Sequence, residues 1–202
     1  FELGYGSDLD LVFVHNSENA SAITNTSLES QKPVADAVFF ARLGQRMIHI
    51  MSAHTPAGIL YEVDMRLRPS GASGLLVTSL SAFAEYQKNT AWTWEHQALV
   101  RARMVAGDAR VGKKFETVRS EILSLKRDPE ELRKDIAEMR QKMRESLDKS
   151  KEGEFDLKHG VGGIADIEFM VQCGVLSWAC DTLALTDFTD NIRLLAAFAQ
   201  NG

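Results

Sequence analysis

The run Gly4-Tyr5-Gly6-Ser7-Asp8-Leu9-Asp10-Leu11-Val12-Phe13-Val14 constrains this chain most: a small-residue turn leads straight into an apolar segment carrying acids at i and i+2. Extended, such a segment alternates its side chains, so Asp8 and Asp10 leave on one face and Leu9, Leu11 and Phe13 on the other. Their Cα atoms then stand ~7 Å apart at ~3.3 Å rise per residue. Carboxylates at that spacing can converge on a pair of divalent cations, and hard Mg²⁺, which keeps waters and substrate phosphates in its shell, suits them. The plainer alternative is a strand start with Asp8 in its turn and Asp10 facing water.

A second stretch, Ile59-Leu60-Tyr61-Glu62-Val63-Asp64-Met65-Arg66-Leu67-Arg68, alternates along its length. Ile59, Tyr61, Val63, Met65 and Leu67 share one face; Glu62, Asp64, Arg66 and Arg68 share the other, the pattern of a half-buried strand. Paired with the Asp8–Asp10 segment, it brings a third carboxylate, Asp64, towards the same cations. Arg66 and Arg68 add fork-shaped donors for phosphate oxygens. An ion-paired solvent face accounts for the same residues without any ligand.

Gly6-Ser7-Asp8-Leu9-Asp10 followed by Glu62-Val63-Asp64 resembles the metal triad of polymerase-β type nucleotidyltransferases, and the longer runs Glu2-Leu3-Gly4-Tyr5-Gly6-Ser7-Asp8-Leu9-Asp10 and Tyr61-Glu62-Val63-Asp64 into Arg66-Leu67-Arg68-Pro69-Ser70-Gly71 carry a narrower signature. More narrowly, with Trp92-Thr93-Trp94-Glu95-His96-Gln97 through Arg103 and Gly162-Gly163-Ile164-Ala165-Asp166-Ile167-Glu168-Phe169, the chain resembles the bacterial glutamine synthetase adenylyltransferase/deadenylylase family. That resemblance implies an α+β fold, with a polymerase-β-like nucleotidyltransferase sheet and packed helices followed by an all-helical domain. It implies two Mg²⁺ ions held by Asp8, Asp10 and Asp64, and ATP as the source of AMP for a tyrosine of glutamine synthetase. Gly6 and Ser7 would touch phosphate, Arg66 or Arg68 would steady phosphate or the carboxylates, and Asp64 is the candidate base. Tyr5-Gly6-Ser7 and Trp94-Glu95-His96-Gln97 favour the C-terminal, AMP-attaching half over the AMP-removing one; a non-catalytic regulatory module is the remaining alternative. A PII-type signalling protein is the implied partner of the full-length enzyme. The glycine-rich turn that these enzymes carry upstream of Glu2 is missing here, which bears on nucleotide binding.

Totals narrow the class. A length of 202 residues allows one domain or two small ones, and 45% hydrophobic with 25% charged residues is ordinary globular composition. A formal charge of −5 argues against coating nucleic acid. No apolar run nears the ~20 residues of a membrane span, and no signal peptide is recognised at the start. A cytoplasmic protein is expected, with Cys173 and Cys180 as buried thiols in a reducing compartment. Beginning at Phe1 inside a motif, the sequence reads as a piece of a longer protein, truncated at both ends.

Along the chain, residues 1–106 read as the nucleotidyltransferase domain and 107–202 as the helical one. His15 to Lys32 is a polar loop. Pro33 opens a helix over Val34–Ser52 whose stripe Phe39, Phe40, Leu43, Met47, Ile50 and Met51 should pack on the sheet; His49 and His54 are surface or capping residues. Thr55–Gly58 turns into the Asp64 strand, Pro69–Gly74 is a plain turn, Leu75–Val77 is a strand, and Ser79 caps a helix. In Trp92–Val105, Trp92, His96, Leu99 and Arg103 share one helical face and Trp94, Ala98 and Arg101 a neighbouring one. Arg101 and Arg103 are candidate contacts to a nucleotide's phosphates, against the plainer reading of core tryptophans and acid-bridging arginines. Amphipathic helices follow through Val111–Ile122 and from Asp128-Pro129 to Leu147. Asp166 opens another helix, and Asp190-Asn191 caps a last one whose stripe is Leu195, Phe198 and Ala199.

Overall fold

The computed structural model describes residues 7–17, 34–59 and 62–201. The expectations at Gly4, Gly6 and Pro33 lie outside them. Two compact units emerge, Phe1–Asn89 and Thr90–Gly202.

The first unit is built on two parallel ladders. Strand β1 (Leu9–Asp10) pairs with β3 (Val63–Asp64), and β2 (Phe13–His15) pairs with β4 (Val77–Ser79). Parallel pairing demands a crossover, and helix α1 (Asp36–Met51) lies between the partners in the chain. The sequence reading of one strand through Val14 becomes two short ones, and the strand foreseen at Leu75–Val77 lies at Val77–Ser79 with Leu75 exposed. Ser79 caps α2 (Leu80–Asn89) as expected, its Oγ accepting the Ala82 amide at 3.2 Å.

The alternating run Ile59–Arg68 is not a strand along its length. Leu9 N donates to Glu62 O and Leu11 N to Asp64 O, and the ladder ends there. Asp64 Oδ1 then accepts the Arg66 amide at 2.7 Å, a local turn that competes with strand continuation. Arg66 and Arg68 therefore stand on turns and not on the strand's outer face.

Helix α1 does pack on the sheet, but with a different stripe. Phe40, Ala41, Gly44, Ile48 and Met51 are the less exposed positions, whereas Val38, Phe39, Leu43, Met47 and Ile50 are open to solvent. Gly44 decides it: a Cβ there would come within 2.7 Å of Val77 Cγ2 and 3.3 Å of Phe13 Cδ2. Only a glycine lets the helix approach β2 and β4 so closely.

The second unit is helical: α3 (Thr93–Arg101), α4 (Ala109–Leu123), α5 (Pro129–Leu147), α6 (Ile164–Trp178) and α7 (Asn191–Asn201). Asp128 caps α5 through the amides of Glu130 and Glu131, with Pro129 in the first turn. Central α6 packs against α3, α5 and α7, and Val171, Val175 and Leu176 on it are almost wholly buried. Leu99, Val100, Ile122, Leu123, Leu132, Ile136 and Leu194 complete this core. Three expectations are corrected here. Arg103 lies beyond the end of α3, so it does not share a helical face with His96. Cys180 is exposed and Cys173 half-buried, both as free thiols, because α6 ends before Cys180. On α7 the buried positions are Leu194 and Ala197, with Leu195 exposed.

Candidate functional site

The site begins with register. In the β1–β3 ladder Asp10 stands opposite Asp64 and Leu9 opposite Val63, so both acids project from the same face. Asp8, two residues earlier, projects with them. Asp8 and Asp10 reach solvent while Leu9 and Leu11 are half-buried, the alternation expected from the sequence. Ser7 precedes them, half-buried.

Electrostatics marks the three as one group. The Asp10 carboxyl is pushed above its ordinary range, first by partial burial and then by the negative charges of Asp8 and Asp64, with Arg66 opposing. Asp64 moves the other way, chiefly because the Arg66 side chain donates to it. Arg66 Nε lies 2.6 Å from Asp64 Oδ2 with Nη2 alongside, in addition to the backbone bond. Among the described residues no three acidic, histidine or cysteine groups converge as one ligand cluster for a metal ion. The donor chemistry nonetheless fits a hard cation: three carboxylates on one face, two in direct register, with mutual repulsion that a cation would relieve.

The other candidates are dispersed. Arg68 turns inward: Nη1 donates to Met65 O at 2.8 Å, Nη2 to Ala72 O at 3.1 Å and Nε to Gly74 O at 3.4 Å. It thereby holds together the Pro69–Gly74 turn, which contains a single 3-10 turn, Gly71–Ser73. Within the helical unit, Arg101 Nη1 donates to Glu168 Oε1 at 2.8 Å, an acid-bridging arginine. Gln172 Nε2 reaches the same oxygen at 3.4 Å and is itself tied to Gln97, 3.0 Å away. Trp92 is 71% exposed, so it is no core tryptophan.

Asp166 does more than cap a helix. It accepts from Gly162 N at 2.6 Å, from Arg140 Nε at 2.5 Å and from Arg144 Nη2 at 3.1 Å, and its carboxyl is held below the usual range, first by the Gly162 amide. Sequence reasoning missed Arg119, Arg127 and Arg140. Arg140 falls in the stripe Leu132–Ile136–Arg140, and a cation continuing an apolar i, i+4 series is the signal that could have found it.

A family model described as glutamate-ammonia ligase adenylyltransferase matches residues 1–118. The chain belongs to the glutamate-ammonia ligase adenylyltransferase family. A second model, GlnD PII-uridylyltransferase, matches residues 130–199, so α5 to α7 are similar to part of another family as well. Curated relatives named bifunctional glutamine synthetase adenylyltransferase/adenylyl-removing enzyme align along the whole chain. One from Nitrosococcus oceani is 59% identical over 202 residues, covering 100% of this chain and 20% of the relative. Another from Thioalkalivibrio sulfidiphilus is 54% identical over 201 residues, with the same coverages. A third from Pseudomonas aeruginosa is 52% identical over 213 residues, covering 100% of this chain and 21% of the relative. The chain thus spans about a fifth of the length of the relatives it matches. Family membership agrees with the α+β architecture, and no helix of the described residues is long and apolar enough to cross a membrane.

Proposed function

We propose that this chain carries the nucleotidyl-transfer site of a glutamine synthetase adenylyltransferase, moving AMP from ATP to a tyrosine hydroxyl of glutamine synthetase in the cytoplasm. The observation that carries the reading is the register of Asp10 against Asp64 with Asp8 on the same face. Asp8, Asp10 and Asp64 would hold two Mg²⁺ ions. When bound, the ions supply charge neutralisation for the triphosphate and polarise the attacking oxygen. The chain's own residues do the rest. The target's Oη forms a bond to the α-phosphorus, the bond from that phosphorus to the bridging oxygen breaks, and pyrophosphate leaves with the electron pair. The phenol, with an ordinary pKa of ~10, must give up its proton. Asp64 is the acceptor in this scheme, and it is a weak one while Arg66 donates to it, since that bond holds its carboxyl low. Ser7 and the preceding residues Gly4 to Gly6 would touch phosphate. Arg66, whose guanidinium lies beside these carboxylates, is the cation proposed to steady phosphate, while Arg68 holds the turn that follows. The likeness of residues 130–199 to a PII-uridylyltransferase supports a PII-type signalling protein as regulator.

The test is transfer of label from α-labelled ATP to purified glutamine synthetase. Asp8→Asn and Asp10→Asn should each lose several decades of rate with helical content intact; near-normal transfer by Asp10→Asn ends the proposal. Adenylylated glutamine synthetase with phosphate, followed for ADP release, separates the AMP-removing half from the attaching one.

A further inference from the structure

Asp64 gives both carboxylate oxygens to one neighbour. Oδ1 accepts the Arg66 amide at 2.7 Å, and Oδ2 accepts Nε at 2.6 Å, with Nη2 of the same guanidinium beside it. The two side chains differ sharply in exposure: that of Arg66 is 78% exposed and that of Asp64 only 12%. The fork therefore reaches in from water and lies over a carboxylate facing the β1–β3 ladder. Asp64 thus holds a flexible cation supplied by the residue two places after it.

Two consequences follow from the chemistry. Any divalent ion drawing on the Asp10–Asp64 pair needs oxygen lone pairs that Arg66 now uses. An exposed ion pair is also weakly held, and a guanidinium presents to phosphate the same two-point geometry that it presents to carboxylate. A triphosphate carries several negative charges against the single one on Asp64, so it is the stronger claimant. We propose that Arg66 competes with divalent cations for Asp64, and that the phosphates of ATP draw its guanidinium off, so that nucleotide arrival and ion binding at Asp64 are coupled. This rests on reading Asp8, Asp10 and Asp64 as the cation ligands. Coupling of this kind is reciprocal: whatever ATP does to ion affinity, the ion does to ATP affinity.

The experiment titrates the full 202-residue chain with Mn²⁺, following free ion by electron paramagnetic resonance, with and without ATP. Without nucleotide, Arg66→Ala should bind Mn²⁺ about two- to fivefold more tightly than wild type, the range an exposed ion pair is worth. With ATP present the sign reverses, and Arg66→Ala binds the Mn²⁺–ATP complex more weakly. Arg66→Lys, which keeps the charge but not the fork, falls between on both measures. A merely structural role for Arg66 would move both affinities in the same direction. Unchanged or weakened Mn²⁺ binding by Arg66→Ala without nucleotide overturns the proposal. Asp10→Asn separates the layers. If it loses Mn²⁺ while Arg66→Ala shows no tightening, only the competition fails. If it binds Mn²⁺ like wild type, the carboxylate reading beneath fails, and the competition with it.

Discussion

Replacing Arg119 by Met tests whether a buried cation, and not only apolar packing, holds the helical unit together. The Arg119 side chain, on α4, is 2% exposed. Its Nε donates to Leu99 O at 3.0 Å, Nη2 to Val100 O at 2.6 Å and to Phe188 O at 3.1 Å, and Nη1 to Thr186 O at 2.6 Å. One guanidinium thus satisfies the last carbonyls of α3 and fastens them to the segment around the 3-10 turn Leu183–Thr186. Methionine fills similar volume, so the loss falls on the hydrogen bonds and not on a cavity. Leu99 O keeps a second donor, Ala102 N at 3.1 Å, which leaves Val100, Thr186 and Phe188 to lose theirs. Each buried acceptor stranded costs about 1 kcal/mol at the low end of the usual range. Removing the charge also removes its desolvation, which pulls its pKa down in the native protein and keeps the total near that low end. A loss of about 3 kcal/mol is expected. With an m-value of about 1.5 kcal/mol/M, the urea midpoint should fall by about 2 M. All three tryptophans, Trp92, Trp94 and Trp178, lie in the unit Thr90–Gly202, so their fluorescence reports this unit alone. Arg119→Lys should recover little, because one ammonium cannot span carbonyls on both sides. A midpoint shift below about 0.5 M for Arg119→Met would refute the reasoning.

Other perturbations reach other parts of the molecule. Gly44→Val should lift α1 from β2 and β4 at a cost of about 1–3 kcal/mol, seen as faster amide hydrogen exchange along Asp36–Met51. Asp166→Asn should weaken the helical unit at neutral pH. The Asp166 carboxyl sits below its ordinary value in the folded protein, so its contribution is complete above the unfolded value of ~3.9 and is lost as pH falls through the lower folded value. The gap between wild type and Asp166→Asn in tryptophan-monitored urea midpoints should therefore close only in strong acid. Asp10 has the opposite sign: its raised carboxyl means that ionisation subtracts stability as pH climbs past the ordinary carboxylate value. Asp10→Asn should accordingly leave the first unit as stable as wild type or more so at pH 7, by urea unfolding followed by tyrosine absorbance, even though Mn²⁺ binding is lost.

The acids were legible because strand alternation is a local rule. Once Leu9, Leu11 and Phe13 seek cover, Asp8 and Asp10 must face away, and the same period turns Asp64 to the face opposite Val63 and Met65. That Asp10 and Asp64 stand side by side follows from pairing two short segments whose apolar residues must share one face. The arginines were misplaced for an equally physical reason. Alternation ran on through Arg66 and Arg68, but the Asp64 carboxylate captures the Arg66 amide and bends the chain. Helix spans were read closely from capping residues, as with Asp128-Pro129 and Ser79. Which stripe of α1 is buried was not, since Phe39–Leu43–Met47 and Phe40–Gly44–Ile48 both satisfy the helical period and the smaller side chain wins the contact.

By itself, the order of residues determined the element types, the helical second half and the three acids on alternating positions, because periodicity and caps act over a few neighbouring residues. Only the tertiary structure decided that Arg119 would serve carbonyls as far as 69 residues away and that Arg140 and Arg144 would share Asp166. A cation can answer any acceptor within reach, and no local pattern says which one the folded chain will bring there.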